Sequence, residues 1–388
     1  MTDNELRTQP IYLDFQATTP TDPRVVDAMN PYWYEAFGNP HSQTHRYGYE
    51  AHEAVERARE QVATLVGADS DEIVFTSGAT ESNNIVIQSA PHLRSDRSGV
   101  ARSAIEHKCV MEACRALGEI GYGVYEIPVT ADGIVDTNAL EDLPSDEIAL
   151  VSVMYANNEI GTIQPIREVA AWAHRNGVLL HVDAAQALGK IPIDVVRDGV
   201  DLMSLSGHKI YGPNGIGALY IRREIRHAIK PLMQGGYQEN GYRPGTLPLP
   251  LCVGFGKACE IAGEEMEADR AHVEACRTAF LETLSEHADG VELNVDTDQR
   301  IPGTLNLRLP VSDVDLVLNK LHDQIAVSRG SACASGFIEA SHVLAAIGLS
   351  RDEADRSIRV SFGRPSGVSE AESAANHVAE SVRSVAMI

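Results

Sequence analysis

Short apolar runs alternate with segments of helical apolar spacing over the first two thirds of the chain. The run at 71–76 meets the small residues at 77–80, a pattern typical of a strand, a glycine turn and the start of a helix. Similar runs predict four more strands, at 123–129, 150–155, 178–183 and 201–206. Two helix faces are predicted between them, one formed by Val110, Ala113, Cys114 and Leu117 and the other by Ile166, Val169, Ala170 and Ala173. Near-continuous apolar strands separated by amphipathic helices predict a largely parallel sheet covered on both faces.

The pattern changes near Cys259. A long helix rich in Glu and Ala is predicted after this residue, and strands are predicted near 304–309 and 358–361. We therefore expect two domains, a large α/β domain over residues 15–262 and a smaller α+β domain built from residues 1–14 and 263–388. The apolar run at 11–14 is assigned to the small domain because it precedes the first helix and is separated from the sheet-forming strands.

Composition and charge narrow the classes of function. The chain has 388 residues, and its 55 acidic residues exceed its 32 basic residues to give a formal net charge of −23. Such a charge repels a polyanion, so direct binding of nucleic acid is not expected. The N-terminus begins with acidic and polar residues and no uncharged run approaches a membrane span, which predicts a cytoplasmic protein without a membrane segment. The six cysteines lack Cys-x-x-Cys spacing, so no metal site is predicted and most of them are expected to be buried small hydrophobic residues.

Polar residues that follow the predicted strands are the candidates for a ligand site, because ligands of open parallel sheets bind beyond the carboxyl ends of the strands. The segment 77–80 offers backbone N–H groups at a helix start, which suits an anion, although small turns before helices are common. His107 precedes a predicted helix, where a helix-capping or partly buried histidine is the favoured interpretation from the residues alone. Asn158 follows a strand in a stretch where a turn is the default explanation.

Asp183 and Lys209 point to a particular cofactor. Asp183 ends an apolar strand, so it is expected to be buried near a positive charge. Lys209, one of only six lysines, closes the next predicted strand, and a lysine desolvated there can act as a nucleophilic amine towards an aldehyde. A carboxylate, a lysine and an anion-binding helix start at one site match the needs of pyridoxal phosphate.

Ten segments together resemble the cysteine desulfurases of the NifS/IscS type, within the class V aminotransferase group of pyridoxal-phosphate enzymes. The segments are YLDFQATTP, FGNPHSQTHRYG, EIVFTSGATESNN, EHK, NNEIG, HVDAAQ, SLSGHKIYGP, YRPGTLP, SRGSACAS and IRVSFGR, and they cover nearly the whole chain. The resemblance implies the fold type I of pyridoxal-phosphate transferases, with a mostly parallel seven-stranded sheet between helices in the large domain and the active-site cysteine loop in the smaller α+β domain. It also implies conversion of L-cysteine to L-alanine, with the sulfur transferred to an enzyme cysteine as a persulfide.

The resemblance assigns roles to residues of the ring-binding and phosphate-binding segments. Lys209 would form the Schiff base with the cofactor, Asp183 would keep the ring nitrogen protonated, and Gln186 would hydrogen-bond the phenolic oxygen of the ring. His107 would stack on the ring and move protons. The phosphate would be held by Ala79, Thr80, Ser206 and His208, and by Thr246 of a partner subunit. That last role implies a homodimer.

The remaining roles concern the substrate and the sulfur. Asn158 would lie near the cofactor oxygen and the substrate, and Arg359 would bind the substrate carboxylate through its planar, bidentate guanidinium. Cys333 would accept the sulfur. Small Ser, Gly and Ala residues on both sides predict a mobile loop there rather than a buried strand or a helix face, and Arg329 nearby would favour the thiolate.

Other classes of function were weighed against this one. A selenocysteine lyase or another class V aminotransferase-like enzyme would share Lys209 and Asp183, although a plain aminotransferase would not need Cys333. A nicotinamide-dependent enzyme is disfavoured because no G-x-G-x-x-G follows the first strand. An inactive binding protein would be expected to lack the lysine, the carboxylate or the cysteine, and all three are present. A sulfur-acceptor protein is the expected partner, and iron–sulfur cluster assembly, thiolation of tRNA and sulfur modification of DNA all remain open as its pathway.

Overall fold

The computed structural model describes residues 9–329 and 341–386. In these residues the strands are β1 Ile11–Tyr12, β2 Ile73–Thr76, β3 Gly99–Ser103, β4 Gly123–Ile127, β5 Ile148–Ser152, β6 Leu179–Asp183, β7 Leu202–Ser206, β8 Gly217–Ile221, β9 Glu292–Leu293, β10 Thr304–Arg308, β11 Ile325–Ala326 and β12 Ser357–Ser361. The α-helices are α1 Pro23–Met29, α2 Pro31–Tyr34, α3 Arg46–Val66, α4 Ala79–Leu93, α5 Lys108–Glu119, α6 Ile166–Arg175, α7 Leu249–His287, α8 Val314–Leu321, α9 His342–Ala346, α10 Arg351–Asp355 and α11 Val368–Ala386. Across the described ranges, none of the helices combines the length and the apolar character needed to cross a bilayer.

The described residues group into two compact units. The first unit draws on Met1–Ala17, Asn158–Gly161 and Glu267–Ile388, and the second on Thr18–Asn157 and Thr162–Met266. This division differs from the sequence-based domains chiefly at Asn158–Gly161, which the sequence assigned to the large domain. The segment joins the first unit through hydrogen bonds to residues distant in sequence: the Oγ of Ser341 donates to the Glu159 carboxylate at 2.6 Å, and the Asn306 side chain donates to the Glu159 carbonyl at 3.2 Å.

The second unit is built on a seven-stranded sheet with the order β2-β8-β7-β6-β5-β3-β4. Strands β3 to β7 run parallel to one another, whereas β8 is antiparallel to both of its neighbours, β2 and β7. Because β8 is reversed relative to both, β2 runs in the same direction as the parallel strands. The predicted mostly parallel, seven-stranded sheet is confirmed, and the carboxyl ends of β2, β3, β5, β6 and β7 lie at one edge.

Helices cover the sheet of the second unit as the apolar spacing predicts. The predicted apolar positions of α5 and α6 are all buried. Every residue of β5, β7 and β8 is buried, which explains why these strands read as continuous apolar runs rather than as alternating patterns. Burying each large aliphatic side chain in this core contributes about 2 kcal/mol.

Helix α7 begins earlier than the sequence suggested. The prediction placed the long helix after Cys259, but the helix starts at Leu249. Its first turns carry Cys252, Phe255 and Cys259, which are all buried, so no polar face marks the helical period there. The start of this helix was therefore predicted wrongly, because an apolar helix and an apolar strand look alike over a short stretch.

The first unit contains a three-stranded antiparallel sheet with the order β12-β10-β9, and β1 pairs in parallel with β11. Its core includes Phe280, Leu305 and Ile358, together with side chains of α8 and α11. Leu13, next to β1, is also part of this core, and its N–H donates to the carbonyl of Ala326 at 2.9 Å.

Candidate active site

Most of the predicted site residues lie at the carboxyl edge of the seven-stranded sheet. The segments that leave this edge carry Ala79 and Thr80 after β2, His107 after β3, Asp183 and Gln186 at and after β6, and Ser206, His208 and Lys209 at and after β7. This is the edge at which open α/β sheets bind their ligands. The topology of the second unit therefore brings these residues to one side of the sheet.

The turn between β2 and α4 has a backbone that requires glycine. Gly78 has φ 149° and ψ 177°, a region that residues with a Cβ rarely adopt. It also lies close to the start of β8, where a Cβ added to Gly217 would come within 2.7 Å of the Gly78 Cα atom. Helix α4 begins immediately afterwards at Ala79, and the N–H groups of a first helical turn have no acceptor within the helix. The turn is therefore shaped to receive an anion such as phosphate.

Asp183 is a buried carboxylate whose partners are neutral. It is 5% exposed, its Oδ2 accepts a hydrogen bond from the Asn83 amide at 2.7 Å, and its Oδ1 accepts one from the Ala185 N–H at 3.0 Å. No Lys, Arg or His in the described part of the chain forms an ion pair with it. The described Lys, Arg and His residues therefore do not supply the positive charge that the sequence predicts beside Asp183. The protonated ring nitrogen of pyridoxal phosphate would supply this charge.

His208 is held as a neutral ring. Its Nδ1 lies 3.0 Å from the Thr18 hydroxyl. Burial, together with the positive charges of Lys209 and Lys190, lowers the pKa of His208 to about 4. A neutral imidazole that accepts from Thr18 at Nδ1 keeps an N–H at Nε2, which suits hydrogen bonding to a phosphate. Sequence reasoning missed Thr18, although it stands in the YLDFQATTP segment.

The turn that carries Lys209 is held from several sides. Ser206 ends β7 and is buried, and Gly207–Lys209 forms a 3-10 turn. The backbone carbonyl of His208 accepts hydrogen bonds from the N–H and the hydroxyl of Thr19, at 3.0 and 2.9 Å. Tyr211 lies in the left-handed region, with φ 65°, and its N–H donates to the Thr19 hydroxyl at 2.8 Å. A strained residue two positions after Lys209 is typical of a site whose geometry is imposed by its surroundings.

Gln186 and Glu106 are further polar residues buried in this unit. The Lys190 ammonium donates to the Gln186 Oε1 at 3.1 Å. Glu106, which precedes His107, is fully buried, and its Oε1 accepts hydrogen bonds from the Ser103 hydroxyl and the Met154 N–H, both at 2.6 Å. Burial raises the pKa of Glu106 to about 8, so the protonated, neutral form predominates at neutral pH. Its sequence context, a Glu in a polar stretch, held no sign of this burial.

Cys109 departs from its predicted role as a small hydrophobic residue. Its Sγ lies 3.0 Å from the Nδ1 of His107 and accepts a hydrogen bond from the Asn83 amide at 3.0 Å. By contrast Cys114, on the same helix, is buried in an apolar cluster as predicted. His107 is confirmed as a residue that caps α5, because its Nδ1 accepts from the Cys109 N–H at 3.3 Å.

Arg359 and Asn158 meet in the first unit. Arg359 is 2% exposed, its Nη1 donates to the Asn158 carbonyl at 2.7 Å, and its Nη2 donates to the Asp14 carboxylate at 2.6 Å. Asp14 follows β1 and was not singled out by the sequence reasoning, because nothing in a single carboxylate near the N-terminus indicates which arginine it faces. Asp14 and the Asn158 backbone hold the guanidinium in a fixed orientation.

Thr246 lies exposed on a segment that is anchored at several points to its own chain. Glu239 is buried, and its backbone lies in the left-handed region with φ 48°. Its carboxylate accepts two hydrogen bonds from Arg59 at 2.8 Å and one from the Phe75 N–H at 2.6 Å. Arg243 pairs with Glu81 in the first turn of α4 at 3.0 Å. Segment 239–246 is therefore attached to both β2 and α4, while Thr246 itself is exposed.

Cys333 lies outside the described residues, so its predicted role is not addressed by the structure. Arg329, the residue expected to favour its thiolate, forms an ion pair with Asp315. Among residues 9–329 and 341–386 no group of three or more His, Cys, Asp and Glu side chains could hold a metal ion.

Taken together, the residues of the second unit fit pyridoxal phosphate. The first turn of α4 and the neutral His208 suit its phosphate, the buried Asp183 suits its ring nitrogen, and Lys209 lies in the turn that follows β7, the strand paired with β6. These residues were expected from the motifs, whereas the neutral form of His208 and the contacts of Thr18, Asn83 and Cys109 were found only in the fold.

Comparisons with known proteins identify the family and the fold of this chain. The family model for class V aminotransferases matches residues 11–373. The cysteine desulfurase IscS of Rickettsia typhi (strain ATCC VR-144 / Wilmington) is 48% identical over 376 residues, which cover 97% of this chain and 92% of that protein. Among solved structures, a NifS-like protein superposes with a TM-score of 0.89 at 36% identity, covering 96% of this chain and 98% of its own. A structure of SspA in complex with cysteine superposes with a TM-score of 0.81 at 36% identity, and the match covers 92% of this chain and 99% of the SspA chain.

These similarities extend over nearly the whole length of the chain and confirm the family and the fold predicted from the motifs, together with the dependence on pyridoxal phosphate. The chain belongs to the class V aminotransferase family and, within it, to the cysteine desulfurases of the IscS and NifS type.

Proposed function

We propose that this chain converts L-cysteine to L-alanine and passes the sulfur atom to the thiol of Cys333. The observation that carries the proposal is the buried carboxylate of Asp183, which has only neutral partners among the described residues and lies one strand away from Lys209. The similarity to IscS and to a structure that contains cysteine supports L-cysteine as the substrate. It does not support the alternative of a selenocysteine lyase.

Pyridoxal phosphate, when bound, supplies an electron sink for the bonds around the substrate α-carbon. The residues of the chain then have separate tasks. Asp183 would keep a proton on the ring nitrogen, and Lys209 would hold the cofactor and, when released, would take the proton from the α-carbon. Gln186 would donate to the phenolic oxygen, and His107 would stack on the ring and move protons.

Phosphate and substrate carboxylate are each assigned to a set of residues. We assign the phosphate to Ala79, Thr80, Ser206 and His208. We assign the substrate carboxylate to Arg359, with Asn158 beside the substrate, because the guanidinium is planar and its orientation is held by Asp14.

Sulfur transfer needs no external oxidant. The Cys333 thiolate attacks the substrate sulfur, so that a sulfur–sulfur bond forms while the substrate carbon–sulfur bond breaks. The electron pair of the broken bond stays with the carbon, which takes up a proton and becomes the methyl group of alanine. The enzyme is left with a persulfide on Cys333.

A second copy of the chain completes the site in this proposal. Thr246 is exposed on its anchored segment, and in a homodimer its hydroxyl would reach the phosphate bound by the partner subunit. Large side chains are exposed in the same unit, which suits a surface covered by a second copy. They are Trp33, Tyr34, Phe37, Tyr47, Tyr49 and Tyr237.

The persulfide must be discharged before another turnover, so we propose a sulfur-acceptor protein as the partner. Iron–sulfur cluster assembly and thiolation of tRNA or DNA are the pathways such an acceptor would serve. A persulfide-forming thiol needs reducing surroundings, and the cytoplasm is therefore the proposed location.

The proposal is tested by giving L-cysteine to the purified holoenzyme and measuring alanine and sulfide in the presence of a thiol reductant. Cys333→Ala is expected to abolish both products while the visible band of the cofactor is retained. Lys209→Ala is expected to remove the cofactor adduct that borohydride traps on the protein. Cys252→Ala, at a buried cysteine, and Lys320→Ala, at an exposed lysine, are the matched controls. Full sulfide release by Cys333→Ala would contradict the assignment of the acceptor.

A further inference from the structure

A continuous row of hydrogen bonds joins His107 to Asp183. From His107 the row passes to the Cys109 Sγ at 3.0 Å, from there to the Asn83 amide at 3.0 Å, and from Asn83 to the Asp183 carboxylate at 2.7 Å. All four residues belong to the second unit. The two ends of the row are the residues assigned to stacking on the ring and to binding the ring nitrogen.

Two groups of Cys109, its backbone N–H and its thiol, face the same nitrogen of His107, and together they determine which nitrogen carries the proton. The Cys109 N–H donates to the His107 Nδ1 at 3.3 Å, and a backbone N–H can only donate. Nδ1 must therefore present its lone pair, and the proton of the neutral ring lies on Nε2. The Cys109 thiol, which faces the same Nδ1, is consequently the donor in the contact between sulfur and nitrogen.

The second hydrogen bond of the Cys109 sulfur, which the sulfur accepts, comes from the Asn83 amide. Both hydrogens of the Asn83 amide are used, one by the Asp183 carboxylate and one by the Cys109 Sγ, while the Asn83 Oδ1 is buried without a hydrogen-bond partner among the described residues. An amide turned the other way would point its oxygen at the carboxylate and at the sulfur. The carboxylate therefore fixes the amide, and the amide fixes the lone pairs of the sulfur towards itself and the S–H towards His107.

We propose that Cys109 is a positioning residue for the desulfurase reaction, which holds His107 in the Nε2–H form and links it through Asn83 to Asp183. The proposal rests on the proposed function, in which His107 moves protons. A ring fixed in this form presents an N–H, not a lone pair, at Nε2, so that the neutral His107 ring acts first as a hydrogen-bond donor at that atom. Burial raises the pKa of the Cys109 thiol to about 12, which keeps the S–H intact and makes Cys109 a poor sulfur acceptor.

The test compares Cys109→Ala, Cys109→Ser and Cys114→Ala. Serine keeps a group that both donates and accepts, whereas alanine keeps neither. Cys114→Ala is the matched control, because Cys114 lies on the same helix but faces the apolar core. The ¹⁵N resonances of histidine are recorded in the holoenzyme labelled with [¹⁵N]histidine, and His107→Gln identifies the signals of His107.

In the wild type, in Cys109→Ser and in Cys114→Ala we expect one unprotonated nitrogen, Nδ1, and one protonated nitrogen, Nε2. In Cys109→Ala only the longer backbone N–H contact, at 3.3 Å, still holds Nδ1 unprotonated, so the second ring form becomes populated and the two ¹⁵N shifts of His107 are expected to move towards each other. We also expect kcat to fall about fivefold in this variant, the effect of losing one hydrogen bond, with KM for L-cysteine changed by less than about twofold.

The link to Asp183 is tested with a double-mutant cycle of Cys109→Ala and Asn83→Ala. We expect the loss of kcat in the double variant to be smaller than the product of the single losses, because the two residues act in one row. Unchanged ¹⁵N shifts in Cys109→Ala, or independent effects of the two substitutions, would overturn the proposal. The NMR measurement needs no turnover, so a wild type that makes no sulfide contradicts the proposed function without bearing on the form of the His107 ring.

Discussion

The carboxylate of Asp14 lies 2.6 Å from the guanidinium of Arg359, and both side chains are largely buried. The two residues are separated by almost the full length of the chain, one beside β1 and the other in β12. The pair belongs to the first unit, where the Asn158 carbonyl is the second partner of the guanidinium. Arg359, the arginine proposed to bind the substrate carboxylate, is thus already paired with a carboxylate of the protein. This pair fixes the orientation of the guanidinium and uses the Nη2 group as a donor.

Removing Asp14 is expected to destabilise the first unit. Asp14→Ala leaves the positive charge of Arg359 buried without its partner, which costs about 3 kcal/mol of unfolding free energy. The measurement is chemical unfolding of both proteins at neutral pH. Asp323→Ala is the control, because the Asp323 side chain is 90% exposed beside the exposed His322 and a surface pair of this kind contributes less than about 1 kcal/mol. Equal unfolding free energies for the two variants would contradict the importance of the pair.

Arg359→Lys is expected to raise KM for L-cysteine with a smaller effect on kcat. Lysine keeps the positive charge but lacks the planar guanidinium, so it cannot bind Asp14 and a substrate carboxylate at the same time through separate N–H groups. We expect KM to increase roughly tenfold, and steady-state kinetics with alanine as the measured product provide the test. Arg356→Lys, at a residue that lies three positions earlier and pairs with the exposed Asp352, is the matched control.

Gly78→Ala is expected to weaken cofactor binding through backbone strain alone. A Cβ at this position would meet no atom within 4 Å, so the cost comes from the φ of 149° rather than from a clash. A strain of this kind costs about 1–3 kcal/mol, which corresponds to a loss of roughly tenfold in affinity for pyridoxal phosphate if the turn relaxes. Absorbance titration of the apoenzyme with pyridoxal phosphate measures this affinity.

The control for Gly78→Ala is Gly263→Ala in α7. A Cβ at Gly263 would lie 3.6 Å from a side-chain carbon of Leu65, an ordinary contact. Alanine in a helix interior is stabilising by about 0.5–1 kcal/mol relative to glycine, so this variant should retain cofactor and gain stability. Loss of cofactor by both variants would show that the effect is not specific to the turn before α4.

A mixed dimer tests whether Thr246 acts in its own subunit or in the partner. One subunit carries Thr246→Ala and the other carries Lys209→Ala, and two different affinity tags isolate the heterodimer. If Thr246 serves the partner, one of the two sites has both its own Lys209 and an intact Thr246, and the heterodimer keeps about half of the wild-type activity. If Thr246 serves its own subunit, neither site is complete, and the heterodimer keeps about half of the reduced activity of the Thr246→Ala homodimer.

The buried His181 is expected to make the protein less stable as the pH falls. Its Nδ1 lies 2.8 Å from the Ser152 hydroxyl and its Nε2 lies 3.0 Å from the Ser204 hydroxyl, and burial lowers the pKa of His181 to about 4. The unfolded chain has the higher pKa and binds the proton first, so this contribution is fully present above about pH 6.5 and is lost as the pH falls towards 4. A shift of this size corresponds to about 3 kcal/mol.

The measurement is the unfolding free energy of the wild type and of His181→Asn at several pH values. Glu106 gives a slope of the opposite sign between about pH 4.5 and 8, because its raised pKa lets the folded state bind more protons. The difference between wild type and variant removes that common contribution. His322→Gln, at an exposed histidine, should reproduce the wild-type slope. A slope in His181→Asn equal to that of the wild type would refute the prediction.

The periodicity of apolar residues, with the motifs, determined the class of the fold and identified most of the candidate residues for the cofactor site. Continuous apolar runs identify buried strands because both faces of a parallel sheet are covered, and the residues just after those runs, such as Asp183 and Lys209, follow from the edge at which such sheets bind ligands. The start of α7 was predicted wrongly, because its first turns are apolar on all sides.

Only the tertiary structure decided which side chains meet across large separations in sequence. Asp14 pairs with Arg359, and Asn83 donates hydrogen bonds to both Cys109 and Asp183. These contacts depend on the order of the strands and the placement of the helices, which no local sequence pattern predicts. The reversed direction of β8, which aligns β2 with the parallel strands, likewise follows from pairing rather than from composition. The reason is physical: periodicity reports whether a residue is buried, but the partner that satisfies a buried polar group is set by the packing of distant segments.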